Sequence, residues 1–173
     1  LIYQLQSHTY TLSKWYDIER INSTNTGDFN EASSVFKELF TESLLLHTQT
    51  KLPIGACLSG GLDSTSIAGV AKITNTPVST FSSCYVQLGH NEIEYINDVS
   101  LKYGFPGHKI YPVISDLAEN GLLKKIVYHQ DQPILSGSFF SEFKVFEAVS
   151  KNNIRILLSG QGADEYLGGY REF

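Results

Sequence analysis

Two stretches concentrate the residues that could do chemistry: Ser59-Gly60-Gly61-Leu62-Asp63-Ser64 and Ser159-Gly160-Gln161-Gly162-Ala163-Asp164-Glu165. Each follows a short apolar run, 52–58 and 154–158, and the first leads into a segment of helical pattern. A glycine pair lets the backbone turn tightly and approach a ligand with no Cβ in the way. A helix starting just beyond presents unpaired N–H groups and the positive end of its dipole. Ser59 and Ser64 add hydroxyls. Together these features make a cradle for a phosphate-like anion that needs little basic charge. Asp63 would repel a bare phosphate, so its presence suggests a cation between them, and Mg²⁺ suits oxygen ligands. Two better-known glycine motifs fail. A Walker loop needs Gly-Lys-Ser/Thr, and no lysine lies between Lys51 and Lys72. The dinucleotide fingerprint G-x-G-x-x-G cannot be drawn through Gly55, Gly60, Gly61 and Gly69.

Alternating strands and helices must hold these loops. Apolar runs predict strands at 52–58, 78–84, 107–113 and 154–158, with helices at 65–74, 91–103, 115–129 and 138–151. That alternation predicts an α/β fold: an open, doubly wound parallel sheet with right-handed crossovers and helices on both faces. A 3-2-1-4 strand order would make the strands beginning at 52 and 154 neighbours. Both loops would then open at the carboxyl edge of the sheet, where such folds bind ligands. Phe139, Phe143, Phe146 and Val149 fall on one helical face and read as core, and Tyr166 and Tyr170 read as packing on the sheet. Upstream, Asp28 and Glu31 form a capping-box pair opening an amphipathic helix over 29–49. Residues 1–20 alternate like strands around a turn at Ser7-His8, and 22–27 has the composition of a linker.

Composition narrows the partners. A length of 173 residues predicts one main domain. With 42% hydrophobic and 18% charged residues, the chain can build a core and is not a disordered segment. Thirteen basic against eighteen acidic residues leave a net charge of −5, which argues against a general nucleic-acid or anionic-membrane binder. No apolar run approaches the ~18 residues a bilayer span needs. The two cysteines, Cys57 and Cys84, read as packing residues of a protein in a reducing compartment, the cytoplasm. The five histidines show no metal-ligand spacing. Asp131 could contact a substrate or metal, or cap a turn before Pro133. The chain holds no methionine, so it is expected to be part of something longer.

The loop at 59–64 resembles the pyrophosphate loop of ATP-pyrophosphatase (PP-loop) enzymes, a Rossmann-like, adenine nucleotide α hydrolase-like group. The run from Ser159 to Tyr170, the lead-in at 52–59 and Tyr128-His-Gln-Asp-Gln-Pro133 resemble the synthetase domain of glutamine-hydrolysing asparagine synthetases. The resemblance implies that 29–173 is the first part of that domain and that 1–28 is the tail of an upstream glutaminase-like domain plus linker. It implies an ATP-dependent ligase that adenylates the side-chain carboxylate of aspartate or a similar acid, releases pyrophosphate, and forms an amide with ammonia from glutamine. Carried over by position, Ser59, Gly60, Gly61, Leu62, Asp63 and Ser64 would hold the β and γ phosphates, and Leu58 and Ser83 would flank adenine and ribose. Ser159 and Gly160 would line the α phosphate, Asp63 and Asp164 would hold Mg²⁺, and Gln161 and Asp164 would sit at the reacting centre. Small molecules are the implied partners, with a homodimer among the assemblies open to the full-length protein. The best-known members carry an acid where this chain has Gln161, which leaves hydrogen bonding but not proton transfer at that position. Two other readings stay open: a β-lactam-forming or other adenylating relative, and a non-catalytic nucleotide-binding module.

Overall fold

The computed structural model describes residues 1–17, 27–85, 92–118, 121–133 and 136–170. Residues 22–26 of the expected linker, the cap Asn91, His90, Glu119 and Arg171 lie outside the described residues. Two compact units, Leu1–Glu38 and Leu39–Phe173, part within the first helix.

In the first unit, strands β1 (Ile2–Gln4) and β2 (Thr9–Thr11) pair antiparallel, Tyr3 opposite Tyr10. Their turn includes His8 at φ 50, with the Tyr3 hydroxyl 2.9 Å from His8 Nδ1. Helix α1 (Phe29–His47) begins at Asp28, whose carboxylate accepts the Asn30 N–H at 2.9 Å. That is the capping expected from Asp28.

The second unit is built on four parallel strands: β3 (Ile54–Cys57), β4 (Ser79–Ser83), β5 (Gly107–Ile110) and β6 (Ile156–Leu158), in the order β5-β4-β3-β6. Counted along the chain this is the expected 3-2-1-4 order. Between the strands run α2 (Leu62–Ile73), α3 (Glu92–Tyr103), α4 (Leu122–Gln130) and α5 (Ser138–Lys151), and α6 (Ala163–Leu167) follows β6. Strand alternation sorts the core into two faces. Ile54 and Ala56 pack with Ile67, Val70 and Ala71 of α2 and Leu44 of α1. On the other face Phe81, Cys57 and Leu157 pack with Val145 and Val149 of α5. Helices therefore cover both faces.

Three expectations change. The helix foreseen over 115–129 is a 3₁₀ turn (Ile114–Ala118) and a separate α4, because Gly121 sits at φ +68, outside any right-handed helix. Helix α2 starts at Leu62 rather than residue 65, which puts Asp63 and Ser64 in its first turn. The buried stripe of α5 is Phe140, Val145 and Val149, not the run through Phe139, Phe143 and Phe146. Phe140 is 4% exposed and Phe146 48%. Phe140→Ala is expected to cost about 3–5 kcal/mol and Phe146→Ala under about 1 kcal/mol, as measured by urea unfolding.

Candidate functional site

The carboxyl ends of β3 and β6 deliver the two glycine loops side by side. The strands are adjacent and in register, Ala56 opposite Leu158. Strand order reverses between them, since β4 and β5 continue on the far side of β3. Both loops begin Leu-Ser-Gly and close the same small turn. The Gly61 N–H donates to Ser59 Oγ at 3.3 Å, and the Gln161 N–H donates to Ser159 Oγ at 3.3 Å. Gly160 makes the contact between the loops. A Cβ there would lie 3.0 Å from Asp63 Cβ and 3.2 Å from the Ser64 nitrogen. Any side chain would wedge the loops apart.

The first loop is backed by α3. Gly60 has φ +82, and a Cβ on it would lie 2.6 Å from Tyr95 Cβ and 3.2 Å from the Ile96 nitrogen. Ile96 is buried with Leu58 and Cys84. Leu58, expected beside adenine, therefore has its side chain in the core, 2% exposed, and only its backbone is left to meet a ligand. Leu62 is exposed. The first rung of α2 is Thr65 N–H to Gly61 O at 3.0 Å, so the amides of Leu62, Asp63 and Ser64 stand ahead of the helical ladder. Ser64 sits in the first turn of α2. It is 7% exposed, and its hydroxyl accepts the Ser59 N–H at 3.1 Å, lies 3.0 Å from Ser59 Oγ and reaches Gly61 O at 3.2 Å.

In the second loop Asp164 sits in the first turn of α6, with its carboxyl carbon 2.8 Å from where a Gly169 Cβ would stand. The Gly169 N–H donates to Asp164 O at 3.0 Å. Ser159 and Gln161 are exposed. The Tyr170 hydroxyl donates to Glu165 at 3.0 Å, and this bond pushes the phenol's pKa up. Tyr166 and Tyr170, expected on the sheet, are exposed, Tyr166 by 62%. A five-residue helix at the rim buries only Ala163 and offers no stripe to lay down.

Two buried hydroxyls near the loops, Ser83 Oγ and Thr65 Oγ1, have no hydrogen-bond partner among the described residues. Leaving such a group unpaired costs about 1–3 kcal/mol. Ser83 ends β4 and was expected at the nucleotide. Thr65 was not expected, and its only sequence signal is its place directly after Ser64.

Asp131 ends α4 at φ 56, with its N–H donating to Val127 O at 3.0 Å. His47 Nδ1 lies 2.8 Å from Ser43 O, His108 stacks on Phe81 at 4.7 Å, and His129 meets Tyr128 edge-on at 5.5 Å. Among the described residues no cluster of three or more His, Cys, Asp or Glu could hold a metal by itself. No helix among the described residues is long and apolar enough to cross a membrane. A cavity of about 930 Å³ opens at the other edge of the sheet, lined by Pro53, Asn75, Pro77 and Phe105, and includes no loop residue.

Burial, and secondarily Glu142, pushes the Cys57 thiol up from 9.0 to about 11, and burial likewise raises Cys84. Two units of pKa reduce the thiolate fraction at pH 8 about 100-fold, so a thiol reagent is expected to label Cys57 at about that fraction of the rate seen after unfolding. The sign for stability follows: the buried neutral thiol favours the folded state fully below pH 9.0, and that contribution is lost as pH rises towards about 11.

The chain is similar to proteins of a known family. The model of the family described as asparagine synthase matches residues 35–173. Asparagine synthetase [glutamine-hydrolyzing] 1 of Bacillus subtilis is 33% identical over 134 residues, which is 78% of this chain and 21% of that protein. A putative asparagine synthetase [glutamine-hydrolyzing] of Mycobacterium tuberculosis is 30% identical over 149 residues, 86% of this chain and 22% of that protein. The chain thus spans about a fifth of the length of these curated relatives. Among solved structures, an NMN synthetase from Francisella tularensis superposes with a TM-score of 0.51 at 14% identity, over 78% of this chain and 58% of that one. That likeness concerns the fold alone, a parallel sheet with helices on both faces. With a family match over four-fifths of its residues, the chain belongs to the asparagine synthase family.

Proposed function

We propose that the two glycine loops bind ATP and that the complete protein is an ATP-dependent ligase that adenylates a carboxylic acid and then forms an amide. One observation carries the reading: Gly160 of the second loop lies against Asp63 and Ser64 of the first, at the switch point of the sheet. A triphosphate then has one loop for its β and γ phosphates and the other for its α phosphate. Leu62, Asp63 and Ser64 offer amides to the departing pyrophosphate, and the positive end of α2 favours the charge developing there. Ser159 offers a hydroxyl and Gly160 a close backbone approach at the α phosphate.

The donor set also fits Mg²⁺. Asp63 and Asp164 each lie in the first turn of a helix that follows one of the two adjacent strands. Mg²⁺ is commonly held by one or two carboxylates together with phosphate oxygens and water. When bound, it would neutralise charge on the leaving pyrophosphate.

In the first step a carboxylate oxygen attacks the α phosphorus. The bond to the β-phosphate oxygen breaks, and pyrophosphate leaves with the electron pair. In the second, ammonia attacks the acyl carbon, AMP leaves, and the nitrogen loses a proton. The relatives' names support aspartate as the acid and glutamine as the nitrogen source. Gln161, exposed at the mouth, can orient substrate by hydrogen bonds but cannot take that proton. The test is exchange of labelled pyrophosphate into ATP by the complete protein across a panel of amino acids. Exchange that needs one carboxylic acid, aspartate first among them, is the expected result. No exchange with any acid would overturn the reading.

A further inference from the structure

We propose that Glu142, near the start of α5, stands over the reacting end of the site and accepts the proton that the nitrogen releases as the amide forms. The proposal rests on the adenylation and amidation reading above. Helix α5 ends at Lys151 and the chain enters β6 at Ile156, so α5 runs back from the edge where the glycine loops open. Its first turns therefore lie at that edge. There the Ser141 hydroxyl bonds the hydroxyl of Tyr85, two residues past the end of β4. Val145 packs in the cluster that holds Phe81 and Cys57. Glu142 precedes Val145 by three residues, which puts it on the same helix face, one turn nearer the loops. The charge of Glu142 is felt at Cys57, where it adds to burial in pushing the thiol up.

Cys57 ends β3, and the ladder carries this placement across to the second loop. Ala56 stands opposite Leu158, and the next residue on each strand is Cys57 and Ser159. Glu142 thus overhangs the ends of β3 and β6 on the face opposite α2. A nucleotide lying from the start of α2 to Ser159 would turn its acyl phosphate towards that face. In the second step the nitrogen lone pair bonds the acyl carbon, and the bond to the phosphate oxygen breaks with its electrons leaving on AMP. An N–H proton must then pass to a base. Gln161 has no basic atom. Glu165 accepts the Tyr170 hydroxyl, and Asp116 and Glu147 are tied to Lys144 at 3.3 and 3.5 Å. Asp63 and Asp164 are the acids proposed for Mg²⁺. The Glu142 carboxylate is exposed and makes no hydrogen bond or ion pair among the described residues. It can take the proton and return it to water.

The experiment compares Glu142→Gln and Glu142→Asp with the unaltered complete protein. Ammonium chloride is the nitrogen source, and the acid is the one that supports pyrophosphate exchange in the panel above. Glu142→Gln is expected to lower amide formation by about 10²-fold, the lower end of the range for losing a positioned acid or base. Pyrophosphate exchange, which reports only the first step, should stay within about twofold of the unaltered rate. Glu142→Asp keeps the charge on a shorter arm and should recover part of the amide rate. Amide formation at the unaltered rate in Glu142→Gln would overturn the proposal while leaving adenylation standing. An equal fall in exchange and amide formation would overturn it too, since that marks damage to the site as a whole. Exchange without any amide in the unaltered protein would remove the step that Glu142 is assigned. No exchange in the unaltered protein overturns the adenylation reading, and this proposal with it.

Discussion

Asp63→Asn in the complete protein is expected to lower acid-dependent exchange of pyrophosphate into ATP by about 10²–10³-fold, the scale seen when one preorganised charge-stabilising group is removed from a reaction centre. The fold should hardly register the change. Among the described residues Asp63 makes no ion pair. Its structural role is a first-turn acid at the positive end of α2, which contributes about 0.3–1 kcal/mol. For a chain of this size that is a fall in Tm of at most about 4 °C. The two measurements therefore separate chemistry from stability. Exchange at the unaltered rate would remove Asp63 from the reacting phosphates. A Tm fall much beyond that bound would make its carboxylate a packing element instead.

The second large effect belongs to Gly60→Ala. Its φ of +82 is outside the range that L residues adopt readily, and the new methyl would meet Tyr95 Cβ at 2.6 Å and the Ile96 nitrogen at 3.2 Å. Neither neighbour can step aside, because both atoms belong to the start of α3 and Ile96 is buried against Leu58. Backbone strain plus overpacking sum to about 3 kcal/mol, a fall in Tm of roughly 6–12 °C, together with loss of exchange. Gly61→Ala is the control. Its φ of −71 suits any residue, and the nearest atom to its Cβ position is Ser59 Oγ at 3.3 Å. Thermal unfolding of the two variants should differ by most of that interval. Equal Tm values would mean that α3 does not fix the loop's path.

Together these variants probe the arrangement on which the proposed adenylation depends, in which local turn chemistry, a helix start and a neighbouring helix converge on six residues. The site's polarity is supplied mainly by backbone. In the proposed site, amides ahead of α2 would do what lysines do in other phosphate sites, so that a chain of net charge −5 could still hold an anion.

Much of this was written in residue types. Runs such as Ile54-Gly-Ala-Cys57 and Ile156-Leu-Leu158, each bounded by a turn signal, read as strands covered on both faces, and β3 is buried while β6 is half-buried. Strands separated by helical segments leave little choice but a parallel sheet. The glycine loops announced themselves because glycine, serine and aspartate in that order have few other uses. The start of α2 was not legible, since Asp63 and Ser64 favour turns and first helical turns equally. Gly121, inside the helix expected over 115–129, instead stands at φ 68 just ahead of α4.

What the tertiary structure alone decided is which groups meet. Helical spacing gave α5 a periodic apolar pattern, but which stripe faces inward is set by where Phe81 and Leu157 lie on the sheet, and they pack with Val145 and Val149. The same holds at the site. The sequence by itself determined two serine-led glycine turns and the acids beside them. Only the adjacency of β3 and β6 brought Gly160 onto Asp63. The physical reason is that propensity and pattern act within a few residues, whereas close approach between positions a hundred residues apart is fixed by strand pairing and packing.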